Sequence, residues 1–364
     1  MVQSTGNEPS AVDLLRLISR RGVSDLHLEA DSPPVLRVDG DLEPQDMPAL
    51  SATGLNSILE EIADEEQRQR LWEDRELDFA YSSDAGRFRV NASLQRGSIA
   101  LAFRLVRDEI PSLAELGLPE VCGDLALMQR GLVLVTGPTG CGKSTTLAAM
   151  IDHINQRERR HIVTVEDPIE YIHHNKQCLL SQRELGPDTR SFATALTHAL
   201  RQDPDVIMVG EMRDLETVSD ALTAAETGHL VLATLHTPNA PQTVDRVVDI
   251  FPPHQQSQVR VQLAMALEAV LCQTLVPRQD RAGRVAAVEV MIATPAIRNL
   301  IREGKTHQLL NVIETGAQHG MRTLDQALVA LCQSGVISSE AALSHCQNAE
   351  ELRSLLGRRD GLAA

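Results

Sequence analysis

Aromatic side chains are scarce: one Trp, two Tyr and five Phe in 364 residues. The core must therefore be aliphatic, and stacking platforms for single-stranded nucleic acid have little to be built from. Positive charge is also in deficit, with 34 Lys and Arg against 50 Asp and Glu and a formal net charge of −16. A protein that chiefly grips a phosphate backbone is usually basic, at least locally. No nucleic-acid partner is expected, and any phosphate ligand must be held by backbone amides and a few placed cations. The six cysteines (Cys122, Cys141, Cys178, Cys272, Cys332, Cys346) form no C-x-x-C pair, so no zinc ribbon is visible. No apolar run reaches membrane-spanning length. Leu263–Val276 comes nearest, and Glu268 and Gln273 interrupt it. The opening Met-Val-Gln-Ser-Thr-Gly lacks the charged and apolar regions of a signal peptide. The expectation is a reduced, cytoplasmic protein with no transmembrane segment.

What is present is ordinary globular composition, 43% hydrophobic and 23% charged, at a length that suits about two domains. The first third reads as α+β. A helical pattern covers 11–20, and strand patterns follow at Asp25–Glu29 and Val35–Val38, the second ending in the turn Asp39-Gly40. A polar helical stretch spans 51–72. Strand patterns return at Leu77–Tyr81, Arg87–Gln95 and Ile99–Val106, with a hairpin at Arg96-Gly97. Pro111 and Pro119 mark an inter-domain linker. From Gly131 the texture changes. Short apolar runs at Leu132–Val135, Ile162–Val165, Val206–Val209 and Leu230–Leu235 alternate with helical patterns, which predicts a buried parallel sheet. After about residue 255 mostly helix is expected, with one strand at Val285–Met291.

Gly137-Pro138-Thr139-Gly140-Cys141-Gly142-Lys143-Ser144 matches G-x-x-x-x-G-K-[ST]. Its glycines let backbone N–H groups turn inward around a phosphate, Lys143 adds a cation, and the Ser144 hydroxyl suits Mg²⁺. A strand precedes the loop and a helix begins in it, so a helix N-terminus adds partial positive charge. Cys141 needs only its backbone there. A neutral replacement is therefore expected, with redox sensitivity as the sharper alternative, because a helix N-terminus beside a lysine lowers a thiol pKa.

Such a loop needs a carboxylate partner. The strand Asp205–Val209 leads into Gly210-Glu211, making Glu211 the leading candidate. Glu166-Asp167-Pro168-Ile169-Glu170 follows another parallel-strand pattern, so these acids should gather at the same carboxyl edge, where α/β ligands bind. His229 and His236 bracket the next strand, and His236 falls at that edge.

Together these residues resemble a known family. Gly137–Ser144 looks like the Walker A motif of type II/IV secretion ATPases, Asp205–Glu211 like their Walker B, Glu166–Glu170 like their Asp box and Thr227–His236 like their His box. Ala296-Ile-Arg-Asn-Leu-Ile-Arg-Glu303 resembles the motif of the PilT retraction family, and Ser24–Leu28 and Gly86–Asn91 resemble its amino-terminal domain. The resemblance implies an α/β protein: a PAS-like α+β domain over 1–106, a linker over 107–118, and a RecA-like P-loop NTPase domain over 119–364 with a helical carboxy-terminal region. It implies ATP and Mg²⁺ as cofactors, with Ser144 and Glu211 on the metal. Glu211, Glu166, Lys143 and His236 would be catalytic. The nucleotide would be held by Gly137 to Thr145, by Asp167, Glu170 and His229, and by Arg87, Arg89 and Arg104 of the amino-terminal domain.

It further implies a homohexameric motor for type IV pilus retraction and twitching motility. Such a motor works at the cytoplasmic face of the inner membrane on the pilus platform protein, with a paralogous retraction ATPase as another candidate partner. Cys141, Pro238, Pro241 and Glu268 depart from the family pattern. An accessory retraction paralogue and an assembly ATPase stay open as alternatives, although the four-cysteine zinc insertion of assembly ATPases is missing. A nucleic-acid translocase is disfavoured by charge. A non-hydrolysing switch is disfavoured by intact Lys143, Ser144 and Glu211.

Overall fold

The computed structural model describes residues 9–18, 23–38, 41–106 and 109–360, and every structural statement below concerns these residues. The expected turn at Asp39-Gly40 lies outside them. The chain divides into two compact units, Met1–Asp108 and Glu109–Ala364.

The first unit runs α1 (Ala11–Ile18), β1 (Val23–Leu28), β2 (Val35–Val38), β3 (Asp41–Pro44), α2 (Ala52–Ile62), α3 (Glu65–Asp74), β4 (Glu76–Ser83), β5 (Gly86–Gln95) and β6 (Ser98–Val106). Its sheet is antiparallel in the order β3-β2-β1-β6-β5-β4. Phe88, Val90 and Ala92 alternate inward along β5 and pack with Leu14, Leu15, Leu55 and Ile58 of α1 and α2. Arg89 and Asn91 point away, as the period of two requires. The expected hairpin forms at Arg96-Gly97, where φ is +50° and +84°, the pair of positive values a tight hairpin favours. The single helical stretch expected over 51–72 is in fact two helices. Asp64 starts the second by accepting from Gln67 N at 2.8 Å, while the Gln67 side chain accepts from Asp64 N at 2.9 Å. This reciprocal cap outcompetes continuation of the first helix.

The second unit runs α4 (Val121–Ala126), β7 (Gly131–Thr136), α5 (Lys143–Arg157), β8 (His161–Glu166), β9 (Leu179–Glu184), α6 (Phe192–Ala199), β10 (Val206–Val209), α7 (Leu215–Glu226), β11 (Leu230–Leu235), α8 (Ala240–Asp249), α9 (Gln256–Ala266), β12 (Leu267–Pro277) and β13 (Arg284–Ile292), then α10 (Pro295–Arg302), α11 (Leu309–Thr315), α12 (Leu324–Gln333), α13 (Ser339–His345) and α14 (Ala349–Asp360). Its sheet has the order β13-β12-β7-β11-β10-β8-β9, parallel except for edge strand β13. Both faces are covered. Leu132 and Leu134 of β7 join a core with α6 to α9, whereas Val133 and Val135 join one with α4 and α5.

In this unit two strands differ from the sequence reading, as β3 does in the first unit. Strand β9, with Ser181, Gln182, Arg183 and Glu184, is too polar to stand out and forms by adding to β8. Strand β12 lies where helix was expected. An apolar run of that length suits either state, and pairing with β7 on one side and β13 on the other decides it. Glu268, at the position where a basic residue is expected, pairs with Arg298 of α10 at 2.8 Å, and Arg298 also donates to the carbonyls of Ala264 and Met265 at the end of α9. Among the described residues no helix is long and apolar enough to cross a membrane.

The cap at Asp64 gives a direct test. Asp64→Ala removes one half of the reciprocal pair and costs about 1 kcal/mol locally. Hydrogen exchange on the full chain should then show the Gln67 and Arg68 amides exchanging about fivefold faster, with the amides of β7 unchanged.

Candidate active site

Parallel strands deliver their carboxyl ends to one edge, and here that edge gathers four of the sequence motifs. Strand β7 is followed at once by Gly137, β11 by His236 and β10 by Gly210-Glu211, and β8 ends at Glu166. A cavity of about 510 Å³ opens between them, lined among others by Thr139, Lys143, Ser144, Glu166, Glu211 and His236. That size suits a small-molecule ligand.

The loop is held from beneath by β12. A Cβ on Gly137 would lie 2.3 Å from the Gln273 carbonyl oxygen, and Gly137 has φ +138°, so no other residue fits. Gln273 is buried. Its side-chain amide donates to the Cys141 carbonyl at 2.5 Å and accepts from the Thr146 hydroxyl at 2.9 Å. Lys143 is the first residue of α5 and buried. Its ammonium donates to the Gly137 and Pro138 carbonyls at 2.9 and 3.1 Å and lies 3.4 Å from His236 Nδ1. The other ring nitrogen of His236 lies 3.2 Å from Glu211, whose second oxygen pairs with Arg213 at 2.7 Å. The order β7-β11-β10 explains this line of contacts, because β11 stands between the loop strand and the Glu211 strand and puts His236 between Lys143 and Glu211.

The two carboxylates have opposite environments. Partial burial pushes the Glu211 carboxyl up, but Arg213 and the His236 ring outweigh it and hold it below the usual carboxylate range. Burial dominates at Glu166. Despite hydrogen bonds from Thr164 at 2.7 Å and Gln182 at 3.1 Å, its carboxyl is pushed up to about 7. Gly210 allows the two strands to meet there, since a Cβ would sit 3.1 Å from the Val165 carbonyl. Asp167 and Glu170 are exposed and line the cavity. Thr145 joins Tyr171 through their hydroxyls at 3.0 Å.

Other expected residues fall elsewhere. His229 precedes β11 at the opposite end of that strand, about 20 Å along it from the loop edge. Its Nδ1 faces the Ala224 carbonyl at 2.9 Å, so within this unit it is not beside the loop. Arg87, Arg89 and Arg104 lie on β5 and β6 of the first unit, where Arg104 pairs with Asp25 at 2.7 Å and stands opposite Arg89. The redox reading of Cys141 is also corrected. Burial outweighs Lys143 and the loop amides and pushes the thiol up, not down. Gln273, Arg213, Thr164 and Gln182 were missed, because nothing in their local sequence marks which carboxyl edge or loop they reach.

Mg²⁺ takes hard oxygen donors, keeps several waters and is bound through substrate phosphates with one or two protein oxygens. Ser144 and Glu211 line one cavity and offer such donors. Among the described residues no group of three or more His, Cys, Asp or Glu forms an all-protein metal cage. The residues therefore fit a phosphate-bound Mg²⁺. The glycine cradle and Lys143 fit the polyphosphate.

The sequence model of the family described as "Type II/IV secretion system protein" matches residues 12–343. The chain is 50% identical to a Pseudomonas aeruginosa protein named "Type IV pilus retractation ATPase PilT", covering 91% of this chain and 96% of that protein. It is 44% identical to the "Type IV pilus ATPase PilU" of the same organism, covering 94% and 90%. Among solved structures it is similar to one titled "Crystal Structure of the Pilus Retraction Motor PilT and Bound ADP". There the TM-score is 0.89, the identity 45% and the coverage 95% of this chain and 100% of that one.

The support beneath the loop is testable. Gln273→Leu leaves the Cys141 carbonyl and the Thr146 hydroxyl without their buried partner, a loss of order 1–3 kcal/mol. ATP binding by the purified protein, measured by calorimetry, should weaken by about tenfold or more. Wild-type affinity would show that the loop holds its shape without the Gln273 side chain.

Proposed function

The chain belongs to the Type II/IV secretion system protein family, and we propose that it is the ATP-driven motor of type IV pilus retraction. It is an ATPase. The observation that carries the retraction reading is likeness to a named retraction ATPase along 91% of this chain and 96% of that protein. The assembled edge of Lys143, Glu166, Glu211 and His236 supports it chemically.

In this reading the loop amides from Gly137 to Thr145 bind the polyphosphate, and the Lys143 ammonium neutralises charge on it. Ser144 and Glu211 hold Mg²⁺, which when bound would polarise the phosphate oxygens and offset the charge that develops on them. Glu211 suits that task because Arg213 and His236 keep it ionised. Glu166 suits the complementary one. A carboxyl near 7 can take the proton of the attacking water at cellular pH, where an ordinary carboxylate is too weak a base. Asp167 and Glu170 flank that water at the cavity rim. His236 touches Lys143 and Glu211 together, so a change at the phosphate reaches the metal side through one ring.

The working assembly in this proposal is a homohexamer. It acts from the cytoplasmic face of the inner membrane on the pilus platform protein, and sequential hydrolysis around the ring becomes mechanical work. A second reading, the accessory retraction ATPase, is favoured by the 44% identity to PilU over 94% of the chain.

Complementation of a deletion strain separates these readings. Wild-type protein should restore twitching and pilus retraction, and Lys143→Ala and Glu211→Ala should not. Pili that fail to form without the protein would make it an assembly ATPase. Retraction restored by Glu211→Ala would remove hydrolysis here as the power source. Retraction that persists in the deletion strain, only weakened, would make the protein accessory.

The pH profile tests the division between the two carboxylates. A base with a pKa near 7 must lose its proton to act, so log kcat/KM for ATP should climb through pH 6–7 and level off above about 7. Glu166→Gln should abolish that limb and lower kcat by about 10²-fold or more. A wild-type profile in that variant would refute Glu166 as the proton acceptor.

A further inference from the structure

Strand β9 is polar, and one of its side chains is engaged on three sides. Gln182 Nε2 donates to the Tyr171 carbonyl at 2.9 Å and to Glu166 Oε1 at 3.1 Å, and Gln182 Oε1 accepts from the His173 N–H at 2.8 Å. Two backbone groups thus dictate which end of the amide faces the carboxyl. The His173 N–H takes the carbonyl end and the Tyr171 carbonyl takes the NH₂ end. A flipped amide would lose both bonds, so the end turned to Glu166 is a donor.

The backbone that orients Gln182 is itself anchored to α5. The Tyr171 side chain is buried, and its hydroxyl lies 3.0 Å from that of Thr145 in the first turn of the helix. Further along, fully buried Asn155 donates to the His174 carbonyl at 2.8 Å and accepts from the Lys176 N–H at 3.0 Å. Lys176 also pairs with Asp152 at 2.6 Å. The segment from Tyr171 to Lys176 is thereby tied to α5 at both ends. Around Glu166 itself, Thr164 donates to the same oxygen, Oε1, at 2.7 Å. On the β10 side stands Gly210, which has no side chain. Glu184 is opposite Glu166 in the β8–β9 register and accepts from the Ile169 N–H at 3.3 Å. Glu170, from the turn after β8, acts against ionisation of Glu166. Among the described residues no Lys, Arg or His forms an ion pair with Glu166.

We propose that Gln182 is the positioning residue for the proton acceptor: its amide, oriented by the backbone of Tyr171 and His173, grips the Glu166 carboxyl at the cavity wall with a donor that carries no charge. An amide is the donor this setting requires. A cation at position 182 would pull the Glu166 carboxyl back into the ordinary carboxylate range and spoil it as a base at cellular pH. An apolar side chain would leave the carboxyl to Thr164 alone and remove the partner of two backbone groups. The inference rests on Glu166 as the proton acceptor, as read above.

Infrared spectroscopy of the full-length, nucleotide-free protein, following the protonated-carboxyl band that Glu166→Gln removes, tests this alongside the pH dependence of kcat/KM for ATP. In the wild type the band should titrate at about 7. Gln182→Met takes away a donor that favours the ionised form. The band midpoint and the kinetic limb should both move up by about one pH unit, with kcat on the plateau about tenfold lower and KM within about threefold. Gln182→Lys adds a positive charge beside the carboxyl, so both should move down by about as much. Either variant decides the matter alone if the other does not fold. A band that keeps its wild-type midpoint in the folded variants, or moves the same way in both, would overturn the positioning role. So would a loss of kcat that is equal at every pH, which marks a merely structural part. Bands that move as expected in a protein whose wild type shows no kinetic limb would overturn Glu166 as the proton acceptor, and with it the part of Gln182 in the reaction, while the hydrogen bond itself stands.

Discussion

Gly137 and the backbone of Gln273 approach so closely that a single added carbon would lie 2.3 Å from a carbonyl oxygen. The phosphate loop depends on that approach. It lets β12 run parallel to β7 directly under the turn, and it places the Gln273 side chain where it holds both the Cys141 carbonyl and the Thr146 hydroxyl. Cys141 is packed inward against Gly137, and that burial pushes its thiol up although a lysine and a helix N-terminus stand beside it. Loop shape and the burial of Cys141 thus share one steric constraint.

Strand order distributes the electrostatics. With β11 between β7 and β10, His236 separates the loop lysine from Glu211, and Arg213 closes the far side of that carboxylate. Glu211 is held between the Arg213 guanidinium and the His236 ring. Glu166, one strand further out, is surrounded by a threonine hydroxyl, an amide and apolar strand atoms. Two identical side chains at one sheet edge therefore settle on opposite sides of the usual carboxylate range. That division is what one acid as metal ligand and another as proton acceptor require.

Much of this was legible in the residues. Alternation along β5, the apolar runs of β7, β8, β10 and β11, and the Arg96-Gly97 hairpin follow from local periodicity and turn chemistry. Strand β12 was not legible, because Leu263–Val276 is apolar enough for a helix or a strand and only its neighbours choose. The break at Asp64 was overlooked although its D-x-x-Q pattern is local. Gln273 looks like a polar interruption of an apolar run until the sheet places it under the loop.

By itself the sequence determined most of the elements, the phosphate loop and the set of acids and histidines available to a nucleotide, because helix and strand periods and a glycine turn are short-range properties of the chain. Tertiary structure alone decided which acid is kept ionised, which is pushed toward neutrality, and that Gln273 lies beneath the phosphate loop. Those outcomes depend on desolvation and on which strands become neighbours, and both exist only once the sheet has closed around its core.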